Sequence, residues 1–134
     1  MFSFIIFLSF APKVFASTIV IADITTDTTW DLAGSPYIIQ NDKHVASGVT
    51  LTIDPGVVVK LSQGNLLWID GKLLAEGNAD NKIVFTSIDD DSYGGDTGDG
   101  DSSTAIRGWY GVIFTQTATP SILKYIVEIY TPQS

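Results

Sequence analysis

From Val49 onward the chain repeats one pattern: a run of four to six β-branched, aliphatic or aromatic residues, closed by Gly, Pro, Asp or Asn. Thr50-Leu51-Thr52-Ile53 leads through Pro55-Gly56 into Val57-Val58-Val59-Lys60-Leu61. Leu66-Leu67-Trp68-Ile69 leads through Asp70-Gly71 into Lys72-Leu73-Leu74-Ala75, and Ile83–Ser87, Trp109–Phe114 and Ile122–Tyr130 continue the series. Such runs read as strands. Thr52 and Trp68 lie 16 residues apart, as do Val58 and Leu74. A fixed offset with the same turn chemistry predicts units stacked on one another, since no single unit can bury its own apolar face. No i, i+3, i+4, i+7 apolar face runs beyond a turn or two, so helix content is expected to be very low. Asp70-Gly71 suits a hairpin turn. Val57-Val58-Val59 and Leu66–Ile69, however, are apolar on successive residues, which suits strands covered on both sides or a solenoid with aliphatic outer faces. The repeat offset favours the solenoid, an all-β fold.

Three stretches follow from the same reading. Residues 1–16 hold an apolar run, Phe2 to Ala11, of about ten residues, where a bilayer span needs ~20. Val14-Phe15-Ala16 follows, so residues 1–16 read as a signal peptide cleaved between Ala16 and Ser17, although no Lys or Arg precedes the apolar run. A buried N-terminal strand is the alternative. Residues 17–48 read as an N-terminal cap and irregular first coil, with Pro36 at a strand start or edge because it cannot donate a ladder hydrogen bond. Residues 49–134 read as regular coils, interrupted by an acidic loop at 89–103.

Charge and composition narrow the partners. A net charge of −8 repels phosphate backbones and anionic head groups, so nucleic acid and membrane-surface binding are disfavoured. With no cysteine, thiol catalysis and Cys-based metal sites are excluded, and stability rests on packing and hydrogen bonds.

The segments Gly48–Lys60 and Gly71–Ser87 resemble the coils of right-handed parallel β-helix proteins exported by bacteria, the pectate-lyase-like superfamily. The loop from Asp89 to Thr97, leading to Gly108-Trp109-Tyr110-Gly111-Val112-Ile113-Phe114, is similar to the insertion such proteins carry before a Trp-led strand. The likeness spans about residues 28–130. It implies the N-terminal coils of a secreted or surface protein, in a family that includes adhesins, large surface proteins and polysaccharide-degrading enzymes.

Chemistry is sparse. Asp89, Asp91, Asp96, Asp99 and Asp101 are candidate calcium ligands, since dense carboxylates repel one another unless a cation intervenes. The loop fits neither the EF-hand nor the nonapeptide calcium pattern, and a solvated excursion is the plainer account. No catalytic residue is assigned. Arg107 follows the acidic loop and more naturally neutralises it. Asp54, Asp70, Glu76 and Glu128 sit in or beside turns, and His44, the one histidine, reads as a loop residue with a polar neighbour. Trp68 and Tyr110 are candidate carbohydrate-binding aromatics: with Leu67, Ile69 and Trp109 inward, alternation turns both outward. The leading expectation is a non-enzymatic exported β-solenoid segment with a structural, adhesive or glycan-contacting role. Alternatives are the N-terminal part of a carbohydrate-active enzyme whose active site lies outside this chain, and a calcium-stabilised module that self-associates through its exposed end.

Overall fold

The computed structural model describes residue 6 and residues 16–97 and 108–129. Most of the predicted signal segment and part of the acidic loop, with Asp99, Asp101 and Arg107, fall outside the described residues. Among the described residues there are twelve short strands: β1 (Thr18–Ile19), β2 (Thr28–Trp30), β3 (Tyr37–Ile39), β4 (Lys43–Val45), β5 (Thr50–Ile53), β6 (Val58–Leu61), β7 (Leu66–Ile69), β8 (Lys72–Glu76), β9 (Ile83–Ser87), β10 (Gly111–Phe114), β11 (Ile122–Lys124) and β12 (Ile126–Glu128). One 3-10 turn, Leu32–Gly34, is the helical content. No helix among these residues is long and apolar enough to cross a membrane.

The strands form three sheets, in the orders β1-β3-β6-β9-β12 (sheet A), β10-β7-β4 (sheet B) and β11-β8-β5-β2 (sheet C). Every pairing is parallel. From β2 to β12 the chain visits the sheets in one unbroken cyclic order, C, A, B. The region expected to be an irregular first coil supplies β2, β3 and β4, in register with β5, β6 and β7.

The 16-residue offset is not the stacking period. Thr52 pairs with Leu74, 22 residues on, while Trp68 lies between His44 and Ile113 on another sheet. The corners explain why. Gly48, Gly56 and Gly64 follow one another at eight-residue intervals with φ of 79°, 83° and 77°. Each occupies the third position of a turn closed by a backbone hydrogen bond: Val49 to Ala46, Val57 to Asp54, and Asn65 to Ser62. This is the type II turn, which needs positive φ where a side chain would be strained. Three corners make one circuit, so 16 residues is two sides of it. Asp70-Gly71 is likewise no hairpin, since it carries the chain from sheet B to sheet C.

Inward positions alternate along β5, β7 and β8. Leu51, Ile53, Leu67, Ile69, Leu73 and Ala75 are buried in a core shared with Val45, Val57, Val59, Leu61, Ile83, Phe85 and Trp109. Full burial of each large aliphatic contributes ~1.5–3 kcal/mol. Sheet A is different: β3, β6 and β9 are buried at every position, so both its faces are covered. At the β2 end, Trp30 stacks on Tyr37 with ring centroids 4.8 Å apart and closes the core.

Side chains of one circuit also cap the strands of the next. Asp23, Asp27 and Asp42 accept the backbone N–H of His44, Thr50 and Leu66 at 2.8–3.0 Å, and Ser35 Oγ accepts that of Val58. These donors stand at or beside strand starts, where a side-chain acceptor can serve the group the ladder leaves over.

Candidate functional site

Two surfaces gather polar and aromatic side chains: the outer face of sheet B and the loop across sheet A. On sheet B the strand register places His44, Trp68 and Ile113 side by side on β4, β7 and β10. Trp68 sits between the core residues Leu67 and Ile69, and His44 and Ile113 hold the matching register positions beside it. The His44 and Trp68 rings are stacked, with centroids 5.8 Å apart and planes inclined by 6°. His44 is therefore a strand residue rather than a loop one. Its Nδ1 lies 2.7 Å from Asp70 Oδ2. An ionised carboxylate only accepts, so Nδ1–H is the donor of this bond. The Asp70 carboxyl is held below its usual range, first by the hydrogen bond from His44 and then by one from Thr115. Asp42 Oδ1 caps Leu66, and its Oδ2 accepts from Trp68 Nε1 at 3.4 Å.

Trp68 and Tyr110 thus lie on the same face without forming one surface. Trp68 is half-buried, with its ring against His44 on one side and Ile113 as its register neighbour on the other. The ring face towards His44 is thereby occupied, and sugar stacking needs a free ring face. Tyr110 is 53% exposed and stands by Gly64 at the entry to β10. Its backbone N–H donates to Asn65, so it sits three residues from the level of Trp68, about 10 Å along the strand. Trp109 turns inward against Phe85 and donates Nε1–H to the Ile129 carbonyl at 2.8 Å. Gly111, with φ of 118°, intervenes before Val112 resumes the inward register opposite Leu67.

The other surface is the described part of the acidic loop, residues 88–97, which lies against the outer face of sheet A. Asp90 is 4% exposed: Oδ2 accepts from Thr86 Oγ1 at 2.6 Å and Oδ1 from the Ser92 N–H. Asp89 exchanges hydrogen bonds with Ser87, and Asp91 Oδ1 is buried without a hydrogen-bond partner. Among the described residues no group of three or more His, Cys, Asp or Glu converges as a metal site. Beneath the loop Lys60 is fully buried, and its ammonium donates to the Gly95 carbonyl. A cleft of about 730 Å³ opens beside it, lined by Leu32, Ser35, Pro36, Val58, Ser92 and Gly94 among others.

Sequence reasoning missed Lys60 and the particular role of Asp90. A lysine inside the apolar run Val57–Leu61 was the available signal, because an outward lysine on a strand covered on both sides needs a partner in the cover. It also missed the His44–Asp70 pair, whose members are 26 residues apart and meet only through the register of β4 with β7.

No known family profile matches the chain, and no solved structure is significantly similar to it. It is 35% identical over 65 residues to the Drosophila melanogaster protein named "Protein bark beetle"; the match covers 48% of this chain and 2% of that protein's length.

Proposed function

We propose that the chain is a right-handed parallel β-helix module of an exported protein, with a non-enzymatic role as scaffold and as a contact surface for cell-surface glycan. The cyclic order of parallel strands around a packed apolar interior supports the helix reading, and parallel crossovers are right-handed in nearly all proteins. Export rests on the apolar N-terminal stretch ahead of Ala16. The interior is filled by side chains, so contact falls to the outer faces. The observation that carries the glycan reading is the outer face of sheet B, which presents the half-exposed Tyr110 at the entry to β10 and, towards the exit of the same strand, the hydroxyls of Thr115 and Thr117 beside Asp70. Sugar recognition uses an aromatic plate for C–H faces with fixed acceptors for hydroxyls.

Affinity electrophoresis through gels containing bacterial and animal polysaccharides tests this. Retardation of the native chain by at least one polysaccharide, lost in Tyr110→Ala, is the expected result. Equal mobility of the two proteins in every gel sinks the glycan role.

A second reading, self-association, has its own observation. Phe114 and Leu123 hold the register positions of the core residues Ile69 and Ala75, yet they are 42% and 45% exposed. Among the described residues no further strand pairs with the outer edges of β10, β11 and β12, and unpaired strand edges are templates for further pairing.

A further inference from the structure

We infer that Lys60 is the internal cation of the acidic loop: its ammonium latches residues 88–97 across sheet A as a strap that opens without unfolding the strands beneath. Val57, just before β6, and Val59 and Leu61 on it belong to the core, so Val58 and Lys60 occupy the opposite side of the strand. Lys60 is flanked in register by Ile38 on β3 and Thr86 on β9, and Val58 by Val84. All five are at most 9% exposed, because the strap and the Ser35-Pro36 segment lie over them. A lysine with no exposed surface is rare, since burying an ammonium is costly unless polar groups receive it.

Beyond the turn in which Asp89 bonds to Ser87, side chains of the sheet hold the strap near each end. Thr86 donates to Asp90 near one end, and Lys60 donates to the Gly95 carbonyl near the other. Between them Gly94, with φ of 69°, passes so near Pro36 that an added Cβ would lie 3.1 Å from its side chain. Lys60 thus sets a positive charge of the fold itself against the segment that carries Asp89, Asp90, Asp91 and Asp96. An ammonium held beneath a loop of like-charged carboxylates offsets their mutual repulsion without a divalent ion. Lifting the strap would bare an apolar strip of Ile38, Val58 and Val84 along three neighbouring strands of sheet A, whose inner face keeps its own packing.

Limited digestion with an endoproteinase that cuts before aspartate reads the strap directly, because its targets include Asp89, Asp90, Asp91 and Asp96. In the native chain the strap should be cut slowly, at the same rate in millimolar calcium and in excess chelator. Lys60→Met keeps the aliphatic stem and removes the charge; it should raise cleavage within 88–97 by about tenfold or more, with an unchanged far-ultraviolet circular dichroism spectrum. Lys60→Arg should stay nearer the native rate than the Met variant. Native-rate cleavage of a folded Met variant overturns the proposal. So does a native strap that chelator opens and calcium closes. Should the Met variant not fold, amide exchange at Gly94, Gly95 and Asp96 in the native chain decides: chelator-independent protection supports the latch, and protection lost on chelation refutes it.

Discussion

At the scale of single residues, the carboxylates divide by what they touch. Asp23, Asp27 and Asp42 accept strand N–H groups of the next circuit, and Asp70 accepts from His44. Because the Asp70 carboxyl is held below the usual value of 3.8, its contribution to stability is present above that value and is lost as the pH falls through the lower folded value. A carbon-detected NMR titration should place the Asp70 midpoint below 3.8, and in His44→Ala the midpoint should move back up towards it. Gly71 gives a second test. An added Cβ there would lie 2.2 Å from the Val49 carbonyl oxygen and 2.3 Å from that of Ala46, whereas at Gly48 it would meet nothing within 4 Å. Gly71→Ala should therefore cost about 1–3 kcal/mol through overpacking. Gly48→Ala should cost only the positive-φ penalty, roughly 1 kcal/mol. Urea unfolding of both variants checks the order. Neither the His44–Asp70 contact nor the Gly71 clash was legible along the chain, because each joins residues brought together by stacking.

At the scale of elements, strands were legible and their neighbours were not. Thr50–Ile53 alternates in burial as its residue types suggest, and Ile83–Ser87 is buried throughout. Leu66–Ile69 is at least as apolar as β6, yet it alternates, since no described segment covers sheet B as the strap covers sheet A. Residue type alone cannot separate an outward leucine under a loop from one in a side-by-side row with its register neighbours. The corners were legible as turns, but three similar corners in each circuit let two sides pass for a period. Capping belongs to this scale as well. Asp42→Ala removes the acceptor for Leu66 N–H and Trp68 Nε1–H, and should cost about 0.5–1.5 kcal/mol, whereas Asp42→Asn keeps an acceptor oxygen and should cost less. Amide exchange at Leu66, faster in the Ala variant, would locate the loss at the start of β7.

For the whole molecule, the two ends of the stack differ. Trp30 and Tyr37 close one, while Phe114, Ile122, Leu123 and Tyr125 stand 42–49% exposed at the other. Sedimentation velocity should show the chain associating with rising concentration, and Ile122→Lys with Leu123→Lys should shift it to monomer, since charges on an exposed edge oppose strand pairing. A native chain that stays monomeric at high concentration would end the self-association reading. Strand identity, scarcity of helix, Gly-bearing corners and the acidic character of the loop were determined by the sequence itself, because each depends on residues within one turn of chain. The tertiary structure alone decided the true stacking distance, the row formed by His44, Trp68 and Ile113, and the placement of Lys60 beneath the strap. Parallel strands here pair residues 19 or more positions apart, and local residue preference carries no record of which circuit lies next to which.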